Sequence, residues 1–239
     1  MSEENRSIDV IWHHIPSWVG DLRFKKLESL QNNLRTSHSK TPLDRLHLQL
    51  LLGTIFTRLL SSYYELLQMD EHYGRANVWA WFTAEVKQED YDHYMLCANS
   101  FESFVTKLYS SIQTMARLVF VVYNMKLKPD RIYFHNVKEQ LLKHHSSEPI
   151  TQSFVQSSQS EWFKYLSRMR VRIEHSEAEM FIADFMHDKI YLQPNPELSP
   201  LKQEKAPKYE LKKTCNDIFD NASKFLEESA KCVNDYLFR

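Results

Sequence analysis

Apolar residues recur at intervals of three and four along most of this chain, a spacing that places them on one face of an α-helix. The clearest stripe runs from Cys97 to Val122 and predicts a long helix from Tyr94 to about residues 128–129, where a proline stops it. A strict 4-3-4-3 pattern predicts a final helix within residues 209–239. The apolar seam of that helix packs either on the rest of the chain or on another subunit.

Weaker patterns predict four more helices. Asp21 is the expected N-cap of the first, and Pro42 opens the second. Residues 71–90 mix charged and aromatic residues and predict a connection with a short helix, whereas residues 152–160 form a polar stretch rich in Ser and Gln. The four helices are expected at residues 21–37, 42–69, 135–145 and 161–174.

Two short aromatic and β-branched segments, EMFIADF and KIYLQ, predict a small β-hairpin near residues 178–193. Four prolines make the following residues 194–208 a linker. We therefore expect an all-α fold, an up-and-down helical bundle of five to seven helices with this hairpin added. The chain is expected to be one helical domain, residues 1–239, with an N-terminal arm (1–20), a core that carries the candidate site (91–193) and a C-terminal helix (209–239).

Composition supports long helices and excludes some nucleotide sites. Only three glycines occur in 239 residues, where average usage is about 7%. Turns of sheet-rich folds and loops that cradle phosphates need glycine, and neither GxGxxG nor GxxxxGK[ST] occurs in the sequence. A Rossmann or P-loop nucleotide site is therefore not expected, and no cofactor is expected either.

Charge and cysteine usage bear on partners and compartment. The net charge of −1 gives no overall attraction to nucleic acid or to an anionic membrane, so RNA binding would depend on a local basic patch. Arg58 and Arg117 interrupt the longest apolar stretches, which predicts no membrane span, and the polar N-terminus does not resemble a secretion signal. Three widely spaced cysteines are typical of free thiols packed in a core. These features predict a cytoplasmic protein without a membrane partner.

The segment YLSRMRVRIEHS, residues 165–176, contains the residues with the most specific chemistry. Arg168, Arg170 and Arg172 alternate there, and Glu174 and His175 come shortly after them. Their like charges repel, so a purely structural helix gains little from them, but guanidinium groups pair with phosphate oxygens in a fork. A nearby imidazole can move a proton at neutral pH. This combination favours metal-free cleavage of a phosphodiester.

At these residues the sequence resembles the HEPN superfamily, whose members carry an Arg-x4-6-His motif at the end of a helix in an all-α fold. Arg170 to His175 has the four-residue spacing, and Arg168 to His175 has the six-residue spacing. The resemblance covers about a dozen residues directly, and the helical pattern of residues 90–239 agrees with it more loosely.

The resemblance implies a metal-independent endoribonuclease or RNA-binding protein, of the kind found among toxins and phage-defence components. His175 would be the catalytic acid and base, Arg170 the catalytic phosphate clamp, and Arg168 and Arg172 further phosphate-binding residues, with Arg168 competing for the clamp. The family implies RNA as substrate, a homodimer in which two motifs meet, and a cognate antitoxin or regulatory protein.

Two features of the segment complicate this interpretation. Family members commonly have a polar residue, often Asn, directly after the arginine, whereas this chain has Val171. On an unbroken helix, residues 168 and 175 lie about 20° apart and residues 170 and 175 about 140° apart, at about 100° per residue. Arg170 therefore requires a kink before His175, or a partner residue from a second subunit.

Two alternatives stay open at this point. Asp-x-x-His pairs at Asp44/His47, Asp90/His93 and Asp184/His187 have a spacing that metal ligands use, although surface histidines explain them more simply. The arginines and His175 also fit solvent-facing charges at a helix C-terminus, where cations offset the helix dipole. In that case the protein is a catalytically inactive helical module that works by binding a partner.

Overall fold

In a computed structural model of the chain, the structure describes residues 24–36, 42–75, 87–174, 181–184, 189–192 and 209–238. Seven α-helices lie within these ranges: α1 Lys25–Thr36, α2 Pro42–Arg75, α3 Gln88–Val122, α4 Phe134–His144, α5 Pro149–Gln159, α6 Glu161–Glu174 and α7 Leu211–Leu237. A 3-10 turn, Pro129–Arg131, precedes α4. The expected all-α class is confirmed. None of these helices is long and apolar enough to cross a membrane.

Three short strands form a small antiparallel sheet in the order β1 (Phe181–Asp184), β2 (Lys189–Leu192), β3 (Tyr209–Glu210). Phe181 lies opposite Leu192, and Tyr209 pairs with the same residue of β2 from the other side. The connecting residues 185–188 lie outside the described part, so a hairpin over residues 178–193 stays a prediction. The predicted arm, Asp21 and the predicted linker also lie outside it.

Contacts divide the chain into two compact units. The first consists of Met1–Leu60, Ser111–Phe154 and Phe225–Arg239, and the second of Ser61–Ser110 and Val155–Lys224. Helices α2, α3, α5 and α7 contribute residues to both.

The first unit has an aromatic core. Phe134 stacks on Phe154 with ring centroids 4.8 Å apart, and Phe225 meets both rings edge to face at 5.7 and 5.2 Å. Helix α1 is joined to α7 by its first turn, because the backbone N–H groups of Lys26 and Leu27 donate to the Glu227 carboxylate at 2.9 and 3.1 Å. Glu227 thus satisfies helix-end donors that have no partner within α1.

The second unit packs α7 against α2 and α3. Tyr63 lies against Phe219 with centroids 5.3 Å apart, and Lys212 forms an ion pair with Asp70 at 2.9 Å. Cys97 and Cys215 are fully buried in this unit. The cysteines are free thiols, as expected. The seam of α7 is mostly buried within the chain, from Leu211 to Ser229, which resolves the alternative that the sequence left open.

Helix α3 ends at Val122, before the predicted end at residues 128–129. Asn124 has a left-handed φ of 46°. The N–H of Met125 donates to the Phe120 carbonyl at 3.1 Å, and the N–H of Asn124 donates to the Val121 carbonyl at 3.2 Å. This is a Schellman motif with asparagine where glycine is usual. The predicted end is wrong because Asn124 stops the helix before Pro129 is reached.

The predicted connection at residues 71–90 is too long, and the polar stretch 152–160, for which no helix was predicted, is largely helical. Helix α2 continues to Arg75 and α3 already begins at Gln88, so residues 71–90 are not one connection. The polar stretch 152–160 belongs largely to helix α5, because Pro149 is tolerated in its first turn and Phe154 is buried in the aromatic core. In α5, the packing of Phe154 outweighs the weak helix propensity of a Ser/Gln-rich stretch.

Candidate functional site

Helix α6 carries the arginine segment and has the predicted bounds, Glu161–Glu174. Leu166 and Met169 are buried and anchor it in the second unit. Lys164 pairs with Glu161 at 2.8 Å near the first turn, and the acidic residue there suits the positive end of the helix dipole. Arg168 and Arg170 flank the buried Met169, and the three arginines lie on the remaining faces of the helix.

Arg170 is held on one side of α6. Its guanidinium carbon lies 5.3 Å from the centroid of the Tyr109 ring on α3, within the range of a cation–π contact. It also forms an ion pair with Glu174, one helical turn later, and its side chain is 36% exposed. Tyr109 stacks in turn on Phe163 at 6.4 Å. These contacts fix Arg170 against the surface of α3.

Arg168 lies on a different side of α6, about 160° from Arg170 at about 100° per residue. Its side chain is exposed. It lines a cavity of about 190 Å³ between α6 and the first half of α7. The other lining residues are Glu161, Trp162, Tyr165, Thr214, Asp217 and Ile218. The structure therefore gives Arg168 and Arg170 different surroundings.

The remaining residues of the segment are only partly described. Arg172 is half-buried and lies one helical turn after Arg168 on the same side of α6. Val171 is 47% exposed. His175 lies outside the described residues, so the structure does not test its distance from any arginine. The sequence prediction that Arg168, Arg170, Arg172 and His175 form one site stays a prediction.

Both positively and negatively charged side chains line the cavity. The pKa of the Glu161 carboxyl lies below its ordinary value, first because Lys164 donates a hydrogen bond to it and also because the charge of Lys164 is close. Arg168 adds a smaller lowering of the same pKa. Asp217 on α7 is exposed at the same cavity. A guanidinium and two carboxylates thus border one opening.

This cavity was not predicted from the sequence. Glu161, Tyr165 and Arg168 are spaced by four and three residues, which would have placed them on one side of α6. The contribution of α7 had no signal in the sequence, because Asp217 comes from a helix far along the chain. The aromatic residues that the sequence singled out include Trp79 and Trp81, which lie outside the described residues.

The structure describes only some of the residues in the three Asp-x-x-His pairs that have metal-ligand spacing. The side chains of Asp90, Asp184 and His187 are not among those described. His93 lies beside His72, with their Nδ1 atoms 3.1 Å apart. Over the described ranges, the structure contains no group of three or more His, Cys, Asp or Glu side chains arranged to hold a metal ion.

Comparison with known proteins gave one family. Neither the curated proteins nor the solved structures yielded a match to the chain. A sequence model of the Cthe2314-like HEPN family matches residues 52–230, which include α6 and three quarters of the chain. This match confirms the resemblance that the arginine–histidine segment indicates. The chain therefore belongs to the Cthe2314-like HEPN family.

Proposed function

We propose that this protein is a metal-independent endoribonuclease that cuts single-stranded RNA at helix α6. Membership of a HEPN family supports a function in RNA cleavage or binding. The observation that carries the proposal is the exposed Arg168 guanidinium at an open cavity, seven residues before His175. A helix that continues for one more residue brings these two positions to the same side.

The reaction follows from the chemistry of the two side chains. The His175 imidazole removes the proton of a ribose 2′-hydroxyl, and the resulting oxygen attacks the adjacent phosphorus. The bond from phosphorus to the 5′-oxygen breaks, and an imidazolium returns a proton to that oxygen. The products are a 2′,3′-cyclic phosphate and a 5′-hydroxyl end. Arg168 donates two N–H groups to the non-bridging oxygens and stabilises the charge that develops on them.

Arg170 has a different proposed role. Its contacts with Tyr109 and Glu174 hold it on the other side of α6, where they restrict its reach towards a phosphate shared with Arg168. We assign Arg168 as the clamp and Arg170 as a residue that positions α6 against α3. Arg172, on the same side as Arg168, adds positive charge along the path of the RNA backbone.

The proposal includes a homodimer. One histidine acts as base while a second, from the other copy, acts as acid, so that both proton transfers occur without a slow exchange with water. A toxin or defence role, held in check by a cognate antitoxin or regulatory protein, is consistent with such an activity and is part of the proposal.

One observation favours a second candidate function, a catalytically inactive interaction module. Val171 stands where related sites commonly have a polar residue, and its side chain is 47% exposed. An apolar side chain at this position donates no hydrogen bond to a phosphate, which favours an interaction module over a nuclease.

A nuclease assay separates the two candidates. Purified wild-type protein is expected to degrade single-stranded RNA in the presence of EDTA, and His175→Ala is expected to remove that activity without lowering the melting temperature. His144→Ala, which removes an exposed histidine at the end of α4, serves as the matched control and retains activity. RNA left intact and unbound by the wild type would instead support the interaction module.

A further inference from the structure

We infer that the cavity between α6 and α7 binds a guanine base of the RNA, next to the phosphate that Arg168 holds. The inference rests on the proposed function and adds a base preference to it. The cavity lies in the second unit, and all seven lining residues are described. It is therefore a site formed by one compact part of the chain.

The size of the cavity suits one nucleobase. Its volume is about 190 Å³. A cavity of roughly 150 Å³ in a protein core holds a benzene ring, so this larger, partly open one has space for a fused ring. It is too small for a folded RNA element, which directs the inference to a single unstacked base.

Aromatic and apolar side chains line part of the cavity and suit contact with the flat faces of a base. Trp162 and Tyr165 are half-buried at one side, and Ile218, which is 3% exposed, lies at another. Stacking of a base on an aromatic side chain is worth about 1–3 kcal/mol and works for any base, because every base has a π-face. The aromatic residues therefore explain affinity but not selectivity.

The carboxylates supply the selectivity. An ionised carboxylate only accepts hydrogen bonds, and its two oxygens pair best with two adjacent N–H donors. Guanine has such a pair at N1 and N2, whereas adenine, cytosine and uracil place an acceptor beside each donor on that edge. Glu161 is already engaged by Lys164, so Asp217 is the carboxylate that we assign to the guanine edge.

The positive charge of Arg168 explains how a cavity bordered by two carboxylates accepts RNA. Arg168 borders the same opening, and it places a guanidinium where the sugar–phosphate of the bound nucleotide leaves the cavity. The base then enters against the carboxylate while the phosphate stays at the arginine. This arrangement separates the two opposite charges of the site.

The test measures binding separately from cleavage. The His175→Ala protein, which cannot cut, is titrated with four fluorescent RNA 9-mers: U4GU4, U4AU4, U4CU4 and U9. We expect U4GU4 to bind about tenfold more tightly than the other three, in line with the discrimination that a bidentate contact to a base provides. Asp217→Asn should remove this preference, since an amide presents a donor to guanine, and Trp162→Ala should weaken binding of U4GU4.

Asp220→Asn is the matched control, because Asp220 is exposed on the same helix and does not line the cavity. It should leave all four dissociation constants unchanged, and melting temperatures should show that each variant is folded. Equal affinity for U4GU4 and U4AU4, with RNA still bound and wild-type protein still cutting it, would overturn the guanine inference alone. Failure to bind any 9-mer, with no cleavage by the wild type, would overturn the proposed function as well.

Discussion

Arg168 and Arg170 are two residues apart on one helix, yet the structure surrounds them differently. We predict that Arg168→Ala lowers the rate of RNA cleavage by about 10- to 100-fold, because a hydrogen bond to a charged phosphate is worth about 1.5–3 kcal/mol. Arg170→Ala removes the contacts with Tyr109 and Glu174 and is expected to lower the melting temperature more than Arg168→Ala does.

The two variants should be compared by initial rates in EDTA and by thermal unfolding. If Arg170→Ala abolishes cleavage at an unchanged melting temperature while Arg168→Ala cuts normally, the clamp is Arg170 and our assignment is wrong.

Val171 offers a gain-of-function test. Its side chain is 47% exposed, so Val171→Asn is expected to change the free energy of unfolding by less than about 0.5 kcal/mol. Residue 171 lies three positions after Arg168 and on the same side of α6, so an amide there adds a hydrogen-bonding group beside the clamp, and we expect cleavage to become several-fold faster. Val171→Leu is the control that keeps the position apolar. Equal rates for the wild type and both variants would show that this position does not limit activity.

The buried thiols predict a pH dependence of stability. Burial, and then the charge of Asp70, raise the pKa of Cys97 from 9.0 to about 12. Burial raises the pKa of Cys215 well above 9.0 as well. Both thiols are neutral in the fold but ionise above pH 9 once the chain unfolds. The stability they contribute is therefore complete below pH 9 and is lost as the pH rises from about 9 towards 12.

Urea unfolding at pH 8 to 11 measures this effect. The free energy of unfolding of the wild type should fall with pH more steeply than that of a Cys97→Ala/Cys215→Ala variant, by up to about 1.4 kcal/mol per pH unit for each thiol. Parallel pH profiles for the two proteins would contradict the burial of these thiols.

At the scale of elements, the start of α1 depends on a carboxylate from α7. Glu227 accepts from the N–H groups of Lys26 and Leu27, whereas its neighbour Glu228 forms a surface ion pair with Lys26. We predict that Glu227→Ala destabilises the protein by about 1–2 kcal/mol, the usual effect of losing a helix cap. Glu228→Ala is the matched control and should cost less than about 1 kcal/mol, because exposed ion pairs contribute little. Similar losses in urea unfolding would show that Glu227 does not cap α1.

Helix positions were predictable where one face is apolar and the ends have local signals. Helix α6 has the predicted bounds, because Leu166 and Met169 lie one turn apart and Glu161 opens it. The end of α3 was missed, since Asn124 stops the helix in a conformation that the sequence pattern does not reveal. Helix α5 was missed because it depends on Phe154 packing against rings from distant residues.

The candidate site was predictable to a similar degree. The arginines and His175 lie within eight consecutive positions, residues 168–175, so their chemistry could be identified from the segment alone. The cavity could not, because Asp217 and Ile218 reach it only after α7 folds beside α6. The separation of Arg168 from Arg170 follows from helix geometry, but the partner of each arginine required the packing of α3 and α7.

Positive and negative charges nearly balance over the whole chain, whereas α6 carries a local group of arginines. The net charge of −1 gives little long-range attraction to RNA, so the RNA binding that we propose depends on the arginines of α6. A protein that uses few phosphate contacts should lose less affinity with added salt than one with a broad basic surface. This distribution suits a nuclease that recognises a short single-stranded site.

In the mechanism that we propose, a ribose 2′-hydroxyl activated by His175 attacks a phosphate held by Arg168 without a metal ion. The most direct test is cleavage, in EDTA, of an RNA that contains one susceptible linkage, compared with the same RNA carrying a single 2′-deoxyribose on the 5′ side of that linkage. We predict a 2′,3′-cyclic phosphate product from the first substrate and no cut at the modified linkage in the second. Cleavage of the deoxy-substituted linkage, or activity that appears only when a divalent metal ion is added, would contradict a metal-free attack by the 2′-hydroxyl.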